Sequence, residues 1–369
     1  MKIICAKNLL ADGLSIVSKV ASAKSTIPIL ECCLLVVDAN GLKLTAKDSE
    51  MTIQTNFIES EVVEEGSIAL DIKIFTDIVK GLPGPTIEIT CDDKFLTVIR
   101  SGKSEFKILG MNPEEFPDIP NVPKNQAYSL PSISLKNMIR QTVFSVSTDA
   151  TKPVLCGQLM DIANDTLRVV SVDGFRISMR QDKVDGSSSD NLKMIVPSKT
   201  MGEVGKLLSA DGDAVINFYC TDKHLLFELD SCIVVSNLIE GEYINYENML
   251  AGEVTTLITV SRAELLESVD RATLISKDTK KNPVKFKISD SVMAITSNAE
   301  MGTSYEELNV LQDGPDLEIG FNPKYITDVM RALEGEKITI SFSSSVSPCI
   351  IRVEDSEDYK YLVLPLRLR

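Results

Sequence analysis

A helical segment that occurs three times is the feature that most limits how this chain of 369 residues can fold. Apolar residues recur at helical spacing in every copy, and Asp71, Ser198 and Asn322 are predicted to cap the N-termini of the three helices. The copies read LDIKIFTDIVKGL at 70–82, VPSKTMGEVGKLL at 196–208 and FNPKYITDVMRAL at 321–333. Repetition at a fixed period predicts one structural unit used three times.

The regions between these segments repeat as well. Alternating apolar and polar residues typical of strands follow each copy, and a second helical pattern lies upstream of each copy. The predicted helical segments are 9–24, 71–81, 132–144, 198–209, 261–277 and 322–333. We therefore predict an α+β fold of three tandem domains, each with two helices packed on antiparallel sheets. Proline-rich and glycine-rich stretches predict boundaries that divide the chain into three domains, 1–124, 125–252 and 253–369.

The repeated helices carry an ordered pattern of charge. Each copy places two basic residues seven positions apart on one helical face, with an acid at i+4 within reach of both, as in Lys324, Asp328 and Arg331. The six helical segments carry a net charge of +5, whereas the whole chain carries −15, which leaves −20 for the rest. A solvated face with internally paired charges explains this pattern, and so does a polyanionic partner that all the helices face. The absence of Trp argues against a base-stacking platform for single strands.

Motifs that would indicate an enzyme are missing from the sequence. It contains no GxxxxGK[ST] phosphate loop, no GxGxxG, no HExxH and no GxSxG. A hydrolase that uses the single His224 is an alternative without a supporting motif. The eight cysteines form no CxxC pair, and Cys220 with His224 supplies at most two ligands, whereas a zinc site needs about four. We therefore expect buried reduced thiols, no metal and no cofactor.

Two features of the sequence concern where in the cell the protein is found. No apolar run approaches the roughly 18–20 residues that span a bilayer. Lys7 and Asp12 interrupt the start of the chain where a signal peptide needs an apolar core. We expect a cytoplasmic protein with no membrane partner.

Several stretches, taken together and in order, resemble a known family. They are STDATKPVLCG at 147–157, VVSVDGFRIS at 169–178, EGEYINY at 240–246, FNPKYITDVM at 321–330 and YLVLPLRLR at 361–369. The chain resembles the bacterial DNA polymerase III beta subunit, the replicative sliding clamp, over essentially its whole length. The resemblance implies three clamp domains whose head-to-tail homodimer closes a ring around duplex DNA and tethers the replicative polymerase. A protein-binding scaffold without a DNA role is the alternative.

The resemblance also implies a hydrophobic cleft that receives short linear peptides from the polymerase III catalytic subunit, the clamp loader and repair polymerases. The Asp173-Gly174 corner, which is a strong turn signal, lies in its wall. Ordinary strand core is the alternative interpretation, which Arg176 fits poorly. Phe175 and Ile244 depart from the residues that are common in the family. The implied cleft residues are Leu155, Val172, Gly174, Phe175, Arg176, Ile177, Ile244, Met249, Leu362, Leu364, Pro365 and Leu366.

Two further sets of residues complete the expectation. The resemblance directs Lys24 and Lys73 toward DNA with Lys152 and Lys199 nearby, whereas an acid at Asp149 should weaken that contact. The other cations predicted to face DNA are Lys80, Lys136, Arg140, Lys206, Lys324 and Arg331. The residues implied at the joint of the dimer are Ile78, Leu82, Phe106 and Ile108 at one end, and Leu274 and Ile275 at the other.

Overall fold

The protein was analysed as a computed structural model that describes residues 1–20, 25–186, 191–275 and 283–367. Within these ranges the structure contains seven α-helices, one of which is a single turn. The helices are α1 Lys7–Val17, α2 Ile72–Gly81, α3 Ser132–Thr142, α4 Ser198–Leu207, α5 Tyr246–Met249, α6 Arg262–Ala272 and α7 Pro323–Ala332. None of the described helices is long and apolar enough to cross a membrane.

Strands make up most of the remaining regular structure. The first ten are β1 Lys2–Ala6, β2 Cys32–Asp38, β3 Gly41–Lys47, β4 Met51–Thr55, β5 Ser60–Glu64, β6 Gly66–Asp71, β7 Thr86–Cys91, β8 Leu96–Ser101, β9 Ser104–Leu109 and β10 Tyr128–Pro131. The next seven are β11 Gly157–Ala163, β12 Thr166–Val172, β13 Arg176–Lys183, β14 Leu192–Pro197, β15 Val215–Cys220, β16 His224–Glu228 and β17 Cys232–Asn237. The last nine are β18 Thr256–Ser261, β19 Val284–Ser289, β20 Val292–Ala299, β21 Gly302–Asn309, β22 Leu311–Asp313, β23 Leu317–Phe321, β24 Lys337–Phe342, β25 Cys349–Val353 and β26 Tyr359–Val363.

The chain forms two compact units, and the first comprises Met1–Ile133 and Glu203–Leu238. Its five-stranded sheet has the order β5-β1-β7-β8-β9, and its eight-stranded sheet has the order β10-β15-β16-β17-β4-β3-β2-β6. Alternate residues of strands such as β7 are buried, as expected for a sheet with one face on the core. In the larger sheet, β17 pairs antiparallel with β4, so strands from the first and second sequence repeats share one sheet.

The second unit comprises Ser134–Gly202 and Ile239–Arg369. Its nine-stranded sheet has the order β14-β11-β12-β13-β26-β25-β24-β18-β22, and its four-stranded sheet has the order β21-β20-β19-β23. β13 pairs antiparallel with β26, which joins the second repeat to the third. The largest described core cluster of this unit includes Phe286, Phe321 and Phe342, and α6 and α7 contribute apolar residues to it.

The predicted α+β class with antiparallel sheets is confirmed, and a helix occurs in each of the six predicted segments. Two of the three predicted caps form: Asp71 accepts a hydrogen bond from the Ile74 amide at 2.8 Å, and Asn322 accepts one from the Lys324 amide at 3.0 Å. The third, Ser198, is the first residue of α4 itself. The helix predicted at 9–24 begins earlier, at Lys7, and ends at Val17. The three-domain boundaries stay a prediction, since the sheets join strands from neighbouring repeats.

Candidate functional site

A hydrophobic cluster in the second unit gathers several of the predicted cleft residues. Leu155, Val172, Ile177 and Leu362 are buried together in it, beside Tyr246 and Leu250. Ile244 and Leu364 pack against this cluster and are partly buried. Residues from β12, β13, β26 and the turn at α5 therefore form an apolar floor.

The corner between β12 and β13 is a tight turn with one exposed aromatic side chain. Asp173 Oδ1 accepts hydrogen bonds from the amides of Phe175 at 2.9 Å and Arg176 at 3.0 Å. Gly174 has φ +90°, a conformation that residues with a Cβ rarely adopt, which explains glycine at this position. Phe175 is 55% exposed, and its ring stacks on that of Tyr325 from α7 at 6.2 Å between centroids.

Arg176 is buried, with 6% of its surface exposed, although sequence reasoning left its place among apolar residues unexplained. Its Nε donates to Asp173 Oδ2 at 2.9 Å and its Nη1 donates to Asp328 Oδ2 at 2.8 Å. Nη2 donates to the carbonyl oxygen of Phe144 at 2.7 Å, and the guanidinium lies 4.5 Å from the ring centroid of Tyr325. A buried charge is tolerated when it is paired and hydrogen-bonded, so Arg176 joins the corner to α7 instead of offering its charge to solvent.

The end of the chain forms one wall of a concave region. After β26, the Leu364 amide donates to the Phe175 carbonyl at 2.9 Å and the Leu366 amide donates to the Gly320 carbonyl at 2.8 Å. These bonds hold the segment against the corner that precedes β13 on one side and against β23 on the other. A cavity of about 680 Å³ is lined by Glu318, Ser345, Val346, Leu364, Pro365, Leu366 and Arg367.

Sequence reasoning missed part of this lining. Val346 is 76% exposed and lies in the serine-rich loop between β24 and β25, where nothing in the local pattern distinguishes it from an ordinary loop residue. Tyr325 lies in a repeat segment that the sequence did identify, but its contact with Phe175 depends on the tertiary fold. A smaller cavity of about 60 Å³ is lined by Met249, Val254 and Leu362, among other residues.

The short helix α5 is anchored beneath the rim. Asn245 caps it by accepting from the Asn248 amide at 3.3 Å, and the Tyr246 hydroxyl donates to Asp161 Oδ2 at 2.7 Å. Burial, together with the bond to Asp161, raises the pKa of the Tyr246 phenol. This anchoring leaves Met249 half-exposed at the rim, as an apolar side chain available to a ligand.

Most of the described cations that were predicted to face DNA are exposed, and several already have acidic partners. Lys324 pairs with Asp328 at 2.7 Å, Lys206 pairs with Glu203 at 2.7 Å, and Arg140 pairs with Glu334. Arg331 pairs with Asp270 of α6 at 3.0 Å and not with Asp328, so the expectation that one acid serves both basic residues is wrong in this copy. Lys24 lies outside the described residues.

The other predicted cations differ in their exposure and in whether an acidic side chain lies nearby. Lys73, Lys80, Lys152 and Lys199 are exposed, and Lys136 is partly buried. Within the described ranges, Lys73 and Lys80 have no acidic side chain at ion-pair distance. Asp149 caps a turn, with Oδ1 accepting from the hydroxyl of Thr151 at 2.7 Å and from its amide at 3.0 Å. These two bonds lower the pKa of Asp149, which keeps it ionised.

The residues predicted at the dimer joint fall near two sheet edges, with one exception. Phe106 and Ile108 lie on β9, the edge strand of the five-stranded sheet, and Ile78 is partly buried on α2. Leu82 is only 1% exposed, so its assignment to the joint is wrong: it packs inside its own unit. Leu274 is 82% exposed and Ile275 is partly buried, just after α6, which is tied to edge strand β21 by Arg271 and Glu306 at 2.7 Å.

The cysteines and the histidine form no site among the described residues. No group of three or more His, Cys, Asp or Glu side chains there could hold a metal ion. Six cysteines are buried, whereas Cys156 and Cys220 are partly buried. Burial raises the pKa of the Cys5 thiol to about 11, so it stays protonated and unreactive. His224 begins β16 beside a turn in which its amide donates to Thr221 Oγ1 at 3.1 Å.

Comparison with known proteins gives consistent matches along the whole chain. Family models match for the N-terminal domain of the DNA polymerase III beta subunit at residues 1–120, the central domain at 129–245 and the C-terminal domain at 248–367. The beta sliding clamps of Bacillus subtilis and Halalkalibacterium halodurans are 33% and 34% identical, over the full length of both chains.

Solved structures that resemble this chain belong to the same kind of protein as the sequence relatives. The crystal structure of the DNA polymerase sliding clamp from Bacillus subtilis superposes with a TM-score of 0.95 at 32% identity. That of the DNA polymerase III subunit beta from Pseudomonas aeruginosa superposes with a TM-score of 0.94 at 27% identity. Both matches cover 100% of each chain.

Proposed function

This chain belongs to the DNA polymerase III beta subunit family, and on that basis we propose how its surfaces serve a DNA sliding clamp. Members of the family are processivity factors that tether the replicative polymerase to duplex DNA, and they are not catalysts. The proposal assigns three tasks to three surfaces, namely closure of a ring, contact with DNA and capture of partner peptides.

The ring is proposed to close through the two edge strands β9 and β21. Each presents unpaired backbone N–H and C=O groups, which a second strand can satisfy. Pairing β9 of one copy with β21 of another is a head-to-tail contact, and repetition of this contact closes a two-membered ring. Phe106 and Leu274 are exposed near the two edges and supply apolar area for that joint.

The DNA-facing surface is proposed to rely most on cations that lack acidic partners. Lys73 and Lys80 on α2 can each give a full charge to a phosphate, whereas Lys324 and Arg331 must share theirs with Asp328 and Asp270. Contacts between a few exposed lysines and phosphates are salt-sensitive, and they exchange readily along the DNA backbone. Such contacts suit a ring that slides.

The cleft is proposed to bind short linear peptides from the polymerase, the clamp loader and repair polymerases. The observation that carries this assignment is the exposed aromatic ring of Phe175 at the rim of the buried floor around Leu155 and Leu362. Two or three apolar anchors of about 1.5–3 kcal/mol each, less the cost of ordering the peptide, correspond to roughly micromolar affinity. Arg176 shapes the cleft from below, since it is buried.

A topological experiment tests the proposal. Protein loaded on nicked circular DNA by a clamp loader should stay bound through gel filtration, and it should be lost when the circle is cut once by a restriction enzyme. Charge reversal at Lys73 and Lys80 should shorten the products of the polymerase, with the exposed Lys94, outside the predicted set, as a control for general charge. Equal retention on circular and linear DNA would exclude a ring around the duplex. Unchanged product length would favour a scaffold without a DNA role.

A further inference from the structure

One carboxylate oxygen lies between the two functional surfaces of the second unit. Asp328 Oδ2 accepts hydrogen bonds from Lys324 Nζ at 2.7 Å and from Arg176 Nη1 at 2.8 Å. The Lys324 side chain is 62% exposed, whereas that of Asp328 is 14% exposed. A surface cation and a buried guanidinium therefore share a single acceptor atom.

We propose that Asp328 is a positioning residue that couples DNA contact at Lys324 to peptide binding at the cleft. The inference rests on the proposed function, which assigns Lys324 to DNA and the Phe175 corner to the peptide. It goes beyond that assignment because it makes each of the two ligands an effector of the other.

The chain of contacts from Asp328 to the cleft is short. Arg176 Nε binds Asp173 Oδ2, while Asp173 Oδ1 holds the amides of Phe175 and Arg176. Tyr325, the residue after Lys324, contacts both the Phe175 ring and the Arg176 guanidinium. Every link joins described residues of one unit through a contact within ordinary hydrogen-bond or ring-contact distance.

Competition for Asp328 sets the direction of the coupling. A phosphate that attracts Lys324 draws it away from Asp328, whose full charge then acts on Arg176. A more firmly held Arg176 restrains the Asp173–Phe175 corner before a peptide arrives, so less conformational freedom is lost on binding. DNA should therefore tighten peptide binding, and by reciprocity the peptide should tighten DNA binding by the same factor. Because Lys324 is mostly exposed, we expect a factor of about two to five.

The test measures peptide affinity with and without DNA on the full-length protein. The probe is a fluorescein-labelled pentapeptide, Ser-Leu-Ser-Leu-Phe, whose apolar side chains suit the floor, titrated by anisotropy at low salt. The DNA is a short duplex at a concentration that saturates each variant, as measured separately. For the wild type, the duplex should lower the peptide Kd about two- to fivefold.

Two substitutions separate coupling from a purely structural effect. Lys324→Met should abolish the response to duplex and should by itself bring the Kd to the value that the wild type reaches with duplex. Lys324→Arg should restore the response. Arg331→Met is the matched control, since Arg331 lies on the same helix but pairs with Asp270, and it should keep the response.

Each result has a distinct consequence. A response to duplex that is the same in Lys324→Met as in the wild type overturns the coupling and leaves the proposed clamp function standing. Failure of the wild type to bind the peptide, or to bind the duplex, overturns the assignment of the surfaces themselves. Asp328→Asn should also lose the response, and thermal unfolding of that variant shows whether a loss of folding accounts for it.

Discussion

Arg176→Ala removes the guanidinium that joins the corner of the cleft to α7, and its cost can be worked out from the contacts. The guanidinium makes three hydrogen bonds, to Asp173, Asp328 and the Phe144 carbonyl. Deleting one partner of a buried ion pair costs about 3–5 kcal/mol, because the other charge is left without compensation. The side chains of Asp173 and Asp328 are 15% and 14% exposed, so water compensates them in part, and we expect about 3 kcal/mol.

Thermal unfolding followed by circular dichroism checks this value. For a unit of this size, 1 kcal/mol corresponds to about 2–4 °C in Tm, so the variant should unfold about 6–12 °C lower. Peptide affinity should fall about fivefold or more, since Asp173 loses the partner that fixes the Phe175 corner. Arg271→Ala is the control, because its ion pair with Glu306 is exposed to solvent and its loss should lower the Tm much less.

Two outcomes would refute the reasoning in different ways. A variant that keeps its Tm but loses peptide affinity would show that Arg176 contacts the peptide directly, which its burial argues against. A variant that loses stability but binds peptide normally would show that the Phe175 corner is not part of the site. Only a joint loss of stability and affinity agrees with a buried residue that shapes the cleft.

Two further predictions concern the dimer joint and acid stability. Leu274→Asp should shift the mass measured by light scattering from about twice 40.5 kDa to a single chain, because the exposed leucine would then bring a charge into the joint; an unchanged mass would place the joint elsewhere. The hydrogen bond from Arg271 lowers the pKa of Glu306 below its ordinary value of 4.5. This pair therefore stabilises the fold at pH values above 4.5, and that contribution is lost as the pH falls through the lower pKa that Glu306 has in the folded protein. The difference in urea midpoint between wild type and Arg271→Met should accordingly shrink between pH 6 and pH 3, and a constant difference would contradict it.

Features that depend on local sequence were the most predictable. The repeated helices follow from apolar spacing and from caps such as Asp71 and Asn322, since both signals lie within one turn of the helix that they define. The pairing of β17 with β4 and of β13 with β26 was not predictable in the same way, because alternation identifies a strand but not its partner. The sheets consequently cross the repeat boundaries.

The same limit explains the errors at the site. The resemblance placed Leu82 at the dimer joint, but a local sequence match cannot distinguish a side chain that packs against the rest of its own chain from one that packs against a second copy. Arg176 was identified as unusual, whereas its partner Asp328 lies 152 positions away and only the fold brings the two together. Val346 was missed because its loop carries no periodic signal.

The repeats also show what makes the central corner different from its counterparts. In the first repeat, Asp48 Oδ1 accepts from the amides of Glu50 and Met51, both at 2.8 Å, as Asp173 does in the second. The turn itself is therefore a shared structural element, and Met51 stands where the second repeat has Arg176. A methionine side chain cannot bind a carboxylate, so the first corner has no means of engaging a helix acid.

The repeats carry an acidic residue at the same helix position, but the partner of that residue differs. Glu203 occupies the position of Asp328 in the second repeat and pairs with Lys206 on its own helix at 2.7 Å. Asp328 instead forms an ion pair with Arg176 of the second repeat, because the arginine side chain is long and carries the opposite charge. The corner turn and the helix acid thus belong to the repeated scaffold, while a single arginine turns their proximity into a connected site.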